Sequence, residues 1–104
     1  MAYYVYVVTL DPAAWDSSKA MRKANPQVQG VPRVCYYVGS SAFPVKRVAD
    51  HLRGGKATNK LVSDFFSSVV YKYAQADDWD DVVSLEEDVA EELRAKDAAV
   101  YHAV

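Results

Sequence analysis

Cysteine is nearly absent. Cys35 is the only one in 104 residues, which excludes an internal disulfide framework and a cysteine-based metal site. Glycine and proline number four each, and no internal repeat or low-complexity segment is visible. No apolar run approaches the ~20 residues that a membrane helix needs. The N-terminus, MAYYVYVV, has neither a basic leader nor a small-residue cleavage site, so it does not read as a signal peptide. These absences predict a cytoplasmic, soluble chain folded as a single domain over residues 1–104. The rest of the composition agrees: 51% apolar, 25% charged and 12% aromatic residues suffice to bury a core.

The net charge of −2 hides a strong segregation. Residues 19–60 hold nine bases (Lys19, Arg22, Lys23, Arg33, Lys46, Arg47, Arg53, Lys56 and Lys60) against Asp50 alone. Residues 61–104 hold eleven acids against Lys72, Arg94 and Lys96. A block this basic either forms a local positive surface suited to a polyanion or pairs with the acidic block inside the fold.

Tyr3 to Leu10 is a continuous β-branched and aromatic run, which predicts a central strand buried on both faces. Asp11-Pro12 closes it, and a long connection follows from about 11 to 33, with one short helical stretch and breakers at Asn25-Pro26 and Gly30-Val31-Pro32. Val34 to Gly39 is a second strand, suggesting an elongated antiparallel hairpin. Pro44 suits a helix first turn, and Val45, Val48, Ala49 and Leu52 repeat at amphipathic spacing, predicting that they form its buried stripe. Asn59 to Ser68 reads as a second helix with Leu61, Val62, Phe65 and Phe66 inward, and Val69 to Tyr73 as a third strand. A last helix runs from roughly 82 to 96, and Val100-Tyr101 adds an extended tail. The order predicts an α+β fold: a small three-stranded antiparallel sheet flanked by helices.

Arg47 and His51 lie one turn apart on the helix beginning at Pro44, on a face predicted to point away from the core. Such a pair can bind phosphate and orient a water, or it can be an ordinary solvated face beside Lys46, Asp50 and Arg53. Glu86 is more unusual. It projects from the middle of the apolar stripe formed by Val82, Val83, Val89, Ala90 and Leu93. A carboxylate aimed at a core needs a counter-charge or a metal. Mg²⁺ accepts one protein carboxylate with waters and phosphate oxygens. The plainer alternatives are an ion pair with Arg47, or a helix start in which Ser84 and Glu87 form a capping box. Asp77, Asp78, Asp80 and Asp81 lack the spacing and glycine of a calcium loop and read as a solvated loop with a helix cap. The eight tyrosines fit strand packing, with Tyr6 and Tyr37 able to meet across the first hairpin.

Taken together, Tyr4-Val5-Tyr6, then Tyr37-Val38-Gly39-Ser40-Ser41, Arg47 and His51 at R-x-x-x-H spacing, and Glu86 in its apolar setting resemble the GIY-YIG nuclease family. The likeness runs from residue 3 to about 101. Departures from the pattern stand out: Tyr4 replaces the usual glycine of the first motif, and the link between motifs is about twice the usual length. His102 follows Tyr101 where the family tends to carry an asparagine. The resemblance implies an endonuclease hydrolysing DNA phosphodiesters with one divalent ion, Mg²⁺ or Mn²⁺. Glu86 would hold the metal; Tyr6, helped by His51, would act as or position the general base. Arg47 would stabilise the charged transition state, and Tyr37 would orient phosphate or water. Lys19, Arg22, Lys23, Lys46, Arg53, Lys56 and Lys60 are the candidate contacts to single-stranded, branched or duplex DNA. Two other functions compete: a non-catalytic nucleic-acid-binding module, and a protein-interaction domain docking a second copy or another protein through its charged faces.

Overall fold

A computed structural model describes residues 1–53 and 59–102. The elements run β1 (Tyr3–Leu10), α1 (Ala14–Ser17), α2 (Lys19–Ala24), β2 (Cys35–Ser41), α3 (Pro44–Arg53), α4 (Lys60–Phe65), β3 (Phe66–Ala76), α5 (Trp79–Arg94) and β4 (Ala99–His102). The class is α+β, with a sheet flanked by helices. The sheet, however, has four strands in the order β3-β1-β2-β4, and it is mixed rather than three-stranded and antiparallel. β1 pairs antiparallel with both β2 and β3, whereas β4 lies parallel to β2. The tail expected at Val100-Tyr101 is this fourth strand. After α5 the chain reverses at Asp97, which takes a left-handed φ of 64°, a conformation that Asp tolerates better than most residues. It thus returns along the open edge of β2, where Ala99 and Val100 become fully buried.

β1 behaves as its apolar run predicts. Val5 and Val7 pack with Val82, Val89, Ala90 and Leu93 of α5; Tyr6, Val8 and Leu10 point the other way, toward Val48 and Val62. Alternation along the strand thereby feeds two cores, one on each face. The outer edge of β4 is closed by one side chain. Asn25 is buried, donates from Nδ2 to the Val100 carbonyl (2.9 Å), and accepts at Oδ1 from the Val100 amide (2.8 Å). It mimics a neighbouring strand's peptide and ties the long connection to the sheet.

Three expectations from periodicity are corrected. The α3 stripe is rotated: Val48 is buried, but Val45 (59% exposed) and Leu52 (38%) face outward. The inner face is Pro44, Val48 and His51, so the Arg47–His51 side turns toward the sheet rather than away from it. The second helix ends at Phe65 and β3 starts at Phe66, because pairing with the full length of β1 claims residues that apolar spacing assigned to a helix. α5 begins at Trp79, capped by Asp78, whose side chain accepts from the Asp81 amide at 2.8 Å. The Ser84–Glu87 capping box is therefore not the helix start, while the acidic stretch does supply a cap.

Candidate active site

Four elements converge on a cavity of about 440 Å³: Tyr6 from β1, Tyr37, Gly39 and Ser40 from β2, Arg47 from α3, and Trp79, Val83 and Glu86 from α5. Antiparallel register sets its floor. Tyr6 stands opposite Gly39, and Tyr37 lies two residues back on the same face of β2. A β-carbon at position 39 would collide with the ring and hydroxyl of Tyr6, so glycine is what allows that ring to lie across β2. The Tyr6 hydroxyl then lies 2.9 Å from His51 Nε2. The Tyr37 ring packs edge-on against the same imidazole, with centroids 5.4 Å apart, and 6.4 Å from the Tyr6 ring. His51 is thus held inside the fold by two phenols, which is the reason α3 is rotated relative to its apolar pattern.

Burial governs the electrostatics. It pushes the Tyr6 phenol well above its ordinary range, with the nearby Tyr37 adding to the rise and the Arg47 guanidinium opposing it. Tyr37 is pushed up to about 12, mainly by burial, again with Arg47 pulling the other way. Both phenols are therefore protonated at neutral pH. Glu86 has only 4% of its side chain exposed. Its Oε1 accepts from the Ser40 hydroxyl, and its Oε2 lies 3.3 Å from His102 Nδ1. Burial raises the Glu86 carboxyl pKa, and the Ser40 and His102 hydrogen bonds only oppose that rise. Among the described residues His102 is its one ion-pair partner, so the pairing of Glu86 with Arg47 considered from sequence is not what the fold builds.

The donor set suits one hard cation held loosely. Among the described residues no group of three or more His, Cys, Asp or Glu could hold a metal. A single buried carboxylate beside an open cavity is nonetheless sufficient for Mg²⁺, which keeps most of its waters and takes phosphate oxygens. Glu86 is the buried carboxylate lining this cavity among the described residues, and a cation there would offset the cost of its burial.

The five residues expected to carry chemistry, Tyr6, Tyr37, Arg47, His51 and Glu86, are brought together. The basic contacts are placed elsewhere. Lys46 and Arg53 pair with Asp50 on the exposed side of α3 (3.0 and 3.2 Å), and Lys60 lies 3.7 Å from Asp64 on α4. Lys19 and Lys23 are exposed on α2, and Arg22 donates to the Trp15 and Asp16 carbonyls. Lys56 lies outside the described residues. None of the other six lines the cavity; among the described residues Arg47 is the cation that does. Sequence reasoning missed Trp79 and Val83 as site residues, and it gave Ser40 no role of its own. The missed signal is spacing: once Asp78 is taken as the cap, Trp79, Val83 and Glu86 fall on one face of α5.

No family model, no curated protein and no solved structure matches the chain.

Proposed function

We propose that the protein is a metal-dependent endonuclease of GIY-YIG type that hydrolyses DNA phosphodiester bonds in the Glu86 cavity. The observation that carries this reading is the convergence of Tyr6, Arg47 and Glu86, from three different elements, on one cavity, with His51 bonded to Tyr6 behind it. Glu86 would hold a Mg²⁺ or Mn²⁺ ion, which supplies charge neutralisation at the scissile phosphate.

The chain's own residues do the rest. Arg47 binds a non-bridging phosphate oxygen and stabilises the charge that builds in the transition state. Tyr37, a protonated phenol that burial makes a still weaker acid, donates a hydrogen bond to phosphate or to the attacking water. Tyr6 is too weak an acid in its buried setting to stand ready as phenolate, so its role is a relay. A water's oxygen bonds to phosphorus as its proton passes to the Tyr6 oxygen, and the phenol proton passes to Nε2 of His51, which afterwards returns it to solvent. The bond from phosphorus to the leaving sugar oxygen breaks, and that oxygen takes a proton from solvent. Ser40 and His102 hold the Glu86 carboxylate in position.

Incubating labelled single-stranded, duplex and branched DNA with the protein, in Mg²⁺, Mn²⁺ or EDTA, tests the reading. Cleavage that requires the metal is expected. Binding without cleavage in either metal would replace it with the non-catalytic module. Neither binding nor cleavage would leave the protein-interaction reading.

A further inference from the structure

The cavity has two chemically different walls. One carries Tyr6, Arg47 and Glu86; the other is Trp79 and Val83, which stand four residues apart at the start of α5. From Trp79 to Glu86 the helix rises roughly 10 Å. Trp79 is 51% exposed, a large apolar surface left in water at the mouth of the cavity. Tyr3 packs against its ring at 5.7 Å between centroids and 70° between planes. A half-exposed indole with an aromatic neighbour, beside a wall carrying Arg47, offers a surface on which a base can stack.

We propose that Trp79 stacks an unpaired nucleobase next to the scissile phosphate, so that the substrate is DNA with an unpaired nucleotide at the cut: a single strand, a flap or a branch. The inference rests on the nuclease reading for what occupies the Arg47–Glu86 wall. Volume allows it, since about 440 Å³ lies within the range of pockets that take small ligands. Charge sets the direction of the nucleotide. Asp77, Asp78, Asp80 and Asp81 flank Trp79 in the chain at the start of α5, and the neighbouring Asp78 charge raises the Asp81 carboxyl pKa. A phosphate is repelled from that end and attracted to Arg47, leaving the uncharged base to meet the indole. A duplex has no free base face to offer, and its two backbones would run against the aspartates.

Binding in EDTA tests this without relying on cleavage. The probe is intrinsic fluorescence on titration with oligothymidylate or with a blunt duplex of equal length. The chain has two tryptophans, and Trp15 is buried, so quenching reports chiefly on Trp79. The expected result is quenching by the single strand, at least tenfold tighter than by the duplex. The two variants lack the reporting indole, so their binding is read from the anisotropy of a dye-labelled oligothymidylate: Trp79→Ala should weaken single-strand binding about tenfold or more, and Trp79→Phe should keep most of it. Equal affinity for the two DNA forms, or unchanged binding by folded Trp79→Ala, would overturn the proposal. The two readings fail separately. Single-strand stacking without cleavage in metal would sink the nuclease reading alone. Metal-dependent cutting of blunt duplex and single strand at equal rates, unaffected by Trp79→Ala, would sink the stacking proposal alone.

Discussion

At the scale of single residues, the site depends on what Gly39 leaves out and on what burial does to two phenols. Gly39→Ala puts a β-carbon into the Tyr6 ring, which is itself only 1% exposed and has no room to move away. Overpacking of this kind costs about 1–3 kcal/mol, so thermal unfolding should show a drop in Tm on the order of 4–20 °C. Loss of the Tyr6–His51 bond should accompany it, visible as a shift of the His51 ring signals in NMR. Tyr37 makes a pH prediction. Its folded pKa, about 12, stands above the ~10 of an unfolded chain. A raised acid pKa means that the stability it brings is complete below pH ~10 and is lost as pH rises toward the folded value. Urea unfolding from pH 8 to 12 should show a fall of up to roughly 2–3 kcal/mol from this group, and Tyr37→Phe should flatten that part of the profile.

At the scale of elements, periodicity identified most of the helices and strands but not always which way they face. β1 was legible throughout because a strand buried on both sides needs no phase. Glu86 was legible because one carboxylate interrupts an otherwise apolar stripe. α3 misled for a physical reason: its outer face carries Val45, Ala49 and Leu52, as apolar as a core, whereas its inner face must hold polar groups for the cavity. The tertiary bond from Tyr6 to His51 fixes the phase against the apolar pattern. Val48→Ala should therefore destabilise by roughly 2 kcal/mol, while Val45→Gln and Leu52→Gln should each stay within about 0.5 kcal/mol, measured by denaturant midpoint. If the sequence pattern were the true guide, Val45 would cost as much as Val48. β4 was half legible, as an extended tail, because its reason to be a strand lies in two distant places: the open edge of β2 and the Asn25 amide.

At the scale of the whole molecule, the two charge blocks do not cancel across the site. The basic block supplies Arg47 to the cavity and leaves Lys19 and Lys23 exposed on α2; the acidic block supplies Glu86 and the aspartates around Trp79. Arg47 and Glu86 face the same space without neutralising each other, an arrangement suited to a phosphate between them. Long-range assembly of this kind was invisible to spacing alone, because β1, β2, α3 and α5 meet only through the sheet register. The most direct measurement of the central claim is the single-turnover cleavage rate of a labelled branched DNA at saturating Mg²⁺, wild type against Glu86→Gln, with circular dichroism confirming that both are folded. Removing the carboxylate proposed to hold the ion should lower the rate by ~10³-fold or more. A folded Glu86→Gln that cuts within tenfold of wild type would contradict the account, since the cavity would then hold no essential metal ligand.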